Sequence, residues 1–171
     1  MPPIGFTCRD ATEADLPVIV AIYNATIPGR MVTADIEPVS VASRVPWLHA
    51  HNPQTRPLWV LDDNTGSGVC AWLSFNSFYG RPAYNPTAEI SIYVAETRRR
   101  RGLGRWFLEE AIARAPACKV STLLGFIWAH NEPSLRLFGE YGFGRWAHLP
   151  RVAVLDGIER DLIILGKRVG P

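Results

Sequence analysis

Apolar residues recur along the chain at two spacings, and the switches between those spacings mark out the elements. Residues 6–9 read as a short first strand. Residues 12–27 predict a helix, because Leu16, Ile19, Val20 and Tyr23 fall at helical spacing. Thr12 stands where a cap belongs, Asp15 follows three positions on as a capping box requires, and Pro28-Gly29 stops the helix. Residues 29–38 show no clean period and are expected to form a loop. Residues 40–50 predict a second, shorter helix, ended near Pro53 and Pro57. Two β-branched and aromatic runs, 58–61 and 69–75, flank the turn sequence Asp62-Asp63-Asn64-Thr65-Gly66 and predict a hairpin.

The stretch 89–94 (Glu-Ile-Ser-Ile-Tyr-Val) alternates strongly and predicts a strand, and 103–114 a helix opened by glycines. Residues 120–128 read as a buried strand. Residues 132–141 read as a helix with Pro133 in its first turn and Gly142 at its end. Strands at 152–155 and 161–165, joined across Asp156-Gly157, close the chain as a hairpin. The order β-α-α-β-β-β-α-β-α-β-β predicts a mixed sheet with helices on its faces, α+β or α/β in class. No repeat or linker divides the sequence, so residues 1–171 are expected to form one domain.

Composition narrows the function classes. A net charge of +2 rules out a polycation built to coat nucleic acid or an acidic membrane, so any anion site must be local. Cys8, Cys70 and Cys118 are far apart and form no paired motif, and the four histidines show no ligand spacing. Neither a disulfide framework nor a metal site is expected, and a reducing, cytoplasmic setting fits. No signal peptide is visible at the start. The longest apolar run, 16–23, is broken by Pro17 and is too short to span a bilayer, so no membrane association is expected.

The sharpest local feature is Arg98-Arg99-Arg100-Arg101-Gly102-Leu103-Gly104-Arg105, between a predicted strand and a predicted helix. Such a turn presents unpaired N–H groups at a helix N-terminus, where the dipole favours an anion and best of all a pyrophosphate. Gly102 and Gly104 allow close backbone approach, and the arginines add bidentate donors. A solvated basic face is the plainer alternative. A nucleic-acid patch would need charge spread along a face with an aromatic platform, which is missing. A Walker loop is excluded because no Gly-Lys-Ser/Thr ends the motif.

Arg99-Arg100-Arg101-Gly102-Leu103-Gly104 resembles the Arg/Gln-x-x-Gly-x-Gly/Ala signature of the GNAT superfamily of acetyltransferases. Asn131-Glu132-Pro133-Ser134-Leu135-Arg136-Leu137-Phe138, continuing to Tyr141-Gly142-Phe143, resembles that superfamily's downstream Asn-x-x-Ser-helix-Gly-Phe segment. Arg9-Asp10-Ala11-Thr12, Ile22-Tyr23-Asn24, the strand at Glu89 and Tyr79-Gly80-Arg81-Pro82-Ala83-Tyr84-Asn85 are similar to the phosphinothricin and methionine-sulfone branch. The resemblance covers nearly the whole chain. It implies a mostly antiparallel, twisted sheet of six to seven strands with four helices, and acetyl-CoA as cosubstrate without a metal. It also implies a homodimer, and acetylation of the amino group of a small, amino-acid-like molecule.

On that resemblance Glu89 takes the place of the catalytic base; the plainer alternative is a surface glutamate or a partner for Arg81. The main chain of Ile92, Tyr93 and Val94 would hold the pantetheine arm and the developing oxyanion. Arg99, Arg100, Arg101, Gly102, Leu103, Gly104 and Arg105 would hold the diphosphate. Asn131 and Ser134 would reach the CoA arm, with a helix N-cap as the plainer role for Asn131. Arg30 and Arg81, with Phe78 and Tyr79, are the candidates to hold the acceptor. Two departures stand out. Phe138 replaces the tyrosine or histidine that would protonate the leaving thiolate, leaving Tyr93 or Tyr141 as substitutes, and Phe78-Tyr79 replace an aromatic-plus-arginine pair. Acetylation of peptide or lysine amines, and a catalytically silent acyl-CoA-binding module, stay open as alternatives.

Overall fold

The computed structural model describes residues 1–170. Its strands are β1 (Phe6–Asp10), β2 (Leu58–Asp63), β3 (Gly68–Ser77), β4 (Thr87–Val94), β5 (Thr122–Trp128), β6 (Gly144–Leu155) and β7 (Ile158–Arg168). The helices are α1 (Leu16–Asn24), α2 (Val41–His49), α3 (Leu103–Arg114) and α4 (Glu132–Glu140). All seven strands join one sheet in the order β1-β2-β3-β4-β5-β7-β6. Every pairing is antiparallel except β4 with β5. The mixed, mostly antiparallel sheet with four helices is therefore the observed fold.

Strand alternation sends each strand's side chains to two different layers. Ala71, Leu73 and Phe75 of β3, with Ala88 and Ile90 of β4, pack with Phe107, Leu108 and Ala111 of α3 in a core closed to water. On the opposite face Trp72 and Tyr93 pack with Leu16, Ile19 and Ile22 of α1. Antiparallel register places Trp72 opposite Tyr93, Ser74 opposite Ser91 and Asn76 opposite Glu89. A polar column thus crosses the second face while the first stays apolar.

The parallel pairing of β4 and β5 is short. It runs over Thr87↔Thr122, Ala88↔Leu123 and Glu89↔Leu124 and then stops. β3 continues along β4 as far as Val94, and β7 along β5 as far as Trp128. The sheet therefore opens between β4 and β5 beyond Glu89, leaving each strand one edge without a strand partner. Interior main-chain donors and acceptors need partners, so such an opening is a place for an extended ligand to pair.

Two sequence expectations are corrected here. The helix read over 12–27 is divided into a 3₁₀ turn at Glu13–Asp15, then α1, then a second 3₁₀ turn at Ile27–Gly29. Its start is fixed by Asp15, whose carboxylate accepts from the Thr12 N–H at 2.7 Å and from Arg9 at 2.7 and 2.8 Å. Arg9, then Thr12, hold that carboxyl down at about 2. Arg9 also reaches Asp62 at 2.7 Å, tying the start of α1 to β2. The closing hairpin is far longer than the two short runs read from pattern. β6 is an edge strand with neither face buried before Leu155, its register shifts twice, and Pro150 falls between paired residues, so no clean alternation marks it.

Candidate functional site

A cavity of about 400 Å³ opens on the second face of the sheet, beside the gap between β4 and β5. Its floor is the polar column of Ser74, Asn76, Glu89 and Ser91, and its walls include Tyr23, Trp47, Trp72, Tyr93, Phe126 and Trp128. Glu89 sits where the parallel pairing ends, in the last β4–β5 pair, opposite Leu124. Among the described residues no hydrogen bond or ion pair engages its carboxylate. Burial alone pushes that carboxyl up to about 7. Arg81 does not pair with it. A half-buried carboxylate with no partner carries a cost that packing alone would have removed, which marks it as a site candidate.

The loop over 29–38, which has no period, forms the lid of this cavity through Val32, Thr33 and Ala34. It is fixed by side chains bonding to its main chain. His130 donates to Arg30 O at 2.8 Å, Asn131 to Met31 O at 2.8 Å and Trp128 to Thr33 O at 3.3 Å. At the far end the Asn24 amide both donates to and accepts from Val39, each at 2.9 Å. The Tyr23 hydroxyl bonds to Thr33 and Asp35. Trp47 of α2 closes one side, its N–H reaching Asn76 at 3.3 Å. Ser40 caps α2 by accepting from Ser43 N–H at 3.1 Å.

The expected acceptor residues are not brought together. Arg30 turns away to Asp156 at the tip of the β6–β7 hairpin, at 2.8 and 3.0 Å, and does not line the cavity. Phe78 and Tyr79 cluster with Tyr84 on the β3–β4 loop, and neither they nor Arg81 line it either. Tyr79 is 74% exposed. That loop is held from below by the buried Arg56, which donates to Ser77 Oγ at 3.0 Å and to Asn85 O at 2.8 Å. In place of the expected arginines the cavity holds Arg44, from α2. No sequence signal marked Arg44. The column of Ser74, Asn76, Glu89 and Ser91 was legible in principle, as polar residues at every second position in otherwise buried strands.

At the other end of β4 the chain passes through a 3₁₀ turn, Glu96–Arg98, into α3. Arg100 and Gly102 are both in the left-handed region, at φ 60° and 76°. The first helical bond runs from Trp106 N–H to Gly102 O at 2.9 Å, so the N–H groups of Leu103, Gly104 and Arg105 have no intrahelical acceptor. The Leu103 side chain is core, so only its main chain faces outward chemistry. The arginines divide by role. Arg98 ties the turn to the β2–β3 hairpin through Asp63 at 2.6 Å, Arg99 lies 3.9 Å from Glu96, and Arg105 pairs with Glu140 at 3.0 Å. Arg100 and Arg101 have no ion pair among the described residues.

Asn131 is engaged at both ends of its amide. It caps α4 by accepting from Ser134 N–H at 3.2 Å while its N–H₂ holds Met31 O, so its plainer role is the one observed. Ser134 is thereby the capped residue. Phe138 fills the contact between α4 and β5: a Cβ added to Gly125 would lie 2.7 Å from its ring. Tyr141 points its hydroxyl at Glu109 on the surface, whereas Tyr93 lines the cavity and burial pushes its hydroxyl well above the ordinary range, so it keeps its proton.

The match to known proteins agrees with this geometry. The family model described as Acetyltransferase (GNAT) family covers residues 19–143. YwnH of Bacillus subtilis, provisionally named as a phosphinothricin acetyltransferase, is 49% identical over 95% of this chain and 99% of its own. The L-methionine sulfoximine/L-methionine sulfone acetyltransferase of Pseudomonas paraeruginosa is 31% identical over 95% of this chain and 94% of its own. The crystal structure of a GNAT superfamily phosphinothricin acetyltransferase from Sinorhizobium meliloti in complex with AcCoA superposes with a TM-score of 0.90. It shares 25% identity and the match covers 98% of this chain and 90% of that one. A sheet opened beside a lone carboxylate, a left-handed glycine turn before α3 and a family match over most of the sequence agree: the chain belongs to the acetyltransferase (GNAT) family.

Proposed function

We propose that this protein transfers the acetyl group of acetyl-CoA to the amino group of a small, amino-acid-like acceptor, with Glu89 as general base. The observation that carries the assignment is the unpaired, desolvated carboxylate of Glu89 in the cavity, at the point where β4 and β5 part. The acceptor class takes support from the relative that acetylates methionine sulfoximine and sulfone, and from a walled cavity of about 400 Å³, the size of a small molecule.

The residues fit the cosubstrate. The free edge of β4 offers the main chain of Ile92, Tyr93 and Val94 to an amide-bearing arm, as an added strand would use it. The N–H groups of Leu103, Gly104 and Arg105, with Arg100 and Arg101, suit a diphosphate. Acetyl-CoA supplies the reactive thioester. Glu89 takes the proton from the acceptor's ammonium, the freed amine forms its bond to the acetyl carbon as the carbon–sulfur bond breaks, and the surplus proton on the new amide nitrogen passes to the departing thiolate to give the CoA thiol. A β4 main-chain N–H in the stretch 92–94 donates to the carbonyl oxygen as negative charge builds there. Thiols ionise near ~8.5, so the thiolate leaves tolerably unaided. Tyr93, protonated and without a hydrogen-bond partner among the described residues, can offer its O–H to the departing sulfur but is too weak an acid to surrender the proton to it. A cytoplasmic homodimer belongs to the same assignment and is supported by the family resemblance.

The test is Glu89→Gln, assayed by CoA release over a panel of amino acids with methionine sulfone and phosphinothricin. Turnover should fall about 10²- to 10⁴-fold while calorimetric acetyl-CoA binding stays unchanged. Undiminished turnover would remove Glu89 from the base role.

A further inference from the structure

Of the described residues that line the cavity, Arg44 is the single cation and Glu89 the single anion. The Arg44 guanidinium lies 4.9 Å over the Tyr23 ring and 5.8 Å from the Trp47 ring, so two aromatic faces fix its position. Its ion pair to Asp35 is a single contact from one nitrogen at 3.3 Å, long for a charge-assisted bond. Asp35 also accepts from the Tyr23 hydroxyl, so that carboxylate is shared. The other Arg44 N–H groups have no acceptor among the described residues. Unsatisfied donors inside a cavity are expensive unless a ligand answers them.

These observations describe a guanidinium held rigid, with its fork unfilled, in a cavity whose only other charge is a carboxylate. An α-amino acid carries the matching pair: an amine for Glu89 and a planar carboxylate for a bidentate arginine. We propose that Arg44 is the residue that selects the acceptor by gripping its α-carboxylate. This rests on the amino-acid acetylation assigned above and adds to it which acceptors are excluded: amines without an adjacent acid, and amino acids whose carboxyl is blocked. Arg44 acts in binding, and Glu89 in proton transfer.

The experiment compares kcat/KM for methionine sulfone, or whichever L-amino acid the wild type turns over best, with that for its carboxamide. It uses the wild type, Arg44→Ala and Arg44→Lys. The wild type should prefer the free acid by about 100-fold, as expected when a partly buried charged group in a walled cavity loses its partner. Arg44→Ala should lose about that factor on the acid, mostly through KM, and stay within about threefold on the carboxamide. Arg44→Lys should recover part of the loss, because a point charge lacks the fork. Acetyl-CoA binding should be unchanged in both variants. A wild type that turns over acid and carboxamide equally overturns the proposal whatever the variants do, as does an equal loss on both substrates in Arg44→Ala. If the wild type acetylates no amino acid, the function itself fails and Arg44's role with it. If amino acids are acetylated in a Glu89-dependent way without acid preference, only the Arg44 assignment falls.

Discussion

The two ends of β4 are built by different rules. Past Val94, the turn and the first residues of α3 form one contiguous stretch, and its geometry is set by local backbone chemistry: a left-handed Gly102 and a helix start with free N–H groups. Around Glu89, the cavity draws on α1, the 29–38 loop, α2, β3, β5 and Leu162 of β7. It exists because distant side chains hold an irregular loop in place. The contrast explains why one end can be read as a motif and the other cannot. It also implies that substitutions at the two ends should separate cosubstrate binding from acceptor binding.

The largest expected difference between the ends is electrostatic. The cavity keeps an unpaired carboxylate under desolvation, a cost the turn does not carry. Glu89 titrates near 7 in the fold and about 4.3 when unfolded. Between those values the folded state binds the extra proton, so stability falls as pH rises from about 4.3 to 7 and stays lowered above. Glu89→Gln should therefore be more stable than the wild type at pH 8 by roughly 1–3 kcal/mol, allowing for residual solvation, and equal to it at pH 4. Urea unfolding at the two pH values checks this.

Next in size is the turn. A Cβ at Gly102 would meet nothing within 4 Å, so Gly102→Val acts through its φ of 76° alone. Forcing a β-branched residue there costs about 1–2 kcal/mol. Acetyl-CoA should bind about 10-fold more weakly, by calorimetry, with the acceptor KM unmoved at saturating acetyl-CoA. Asn131→Ala is the converse. It removes a helix cap and the tether to Met31, which should lower stability by about 1 kcal/mol. The acceptor KM should rise several-fold and acetyl-CoA affinity should hold. Smallest of all is Arg30→Ala. Its pair with Asp156 is exposed and outside the cavity, so acceptor kinetics should change less than about twofold.

The fold was legible because its central strands and helices carry strong periods, and the class followed from their order. β6 escaped because an exposed edge strand with two register shifts has no buried face to print a pattern. In the site, Glu89 and the glycine turn lay within a few residues of recognisable neighbours. Arg30 is drawn out of the site for a physical reason: an arginine in a loop beside the cavity is as well served by a hairpin-tip aspartate 126 residues away as by substrate. Arg44 was invisible because its place follows from stacking on Tyr23 and Trp47, which no local spacing encodes.

The pH dependence of kcat/KM for the best amino-acid acceptor tests the role of Glu89 most directly. With Glu89 as base, the profile should rise tenfold per pH unit below about 7 and level above it, and Glu89→Gln should lack that limb. A limb of the same slope and midpoint in Glu89→Gln would show that another group takes the proton.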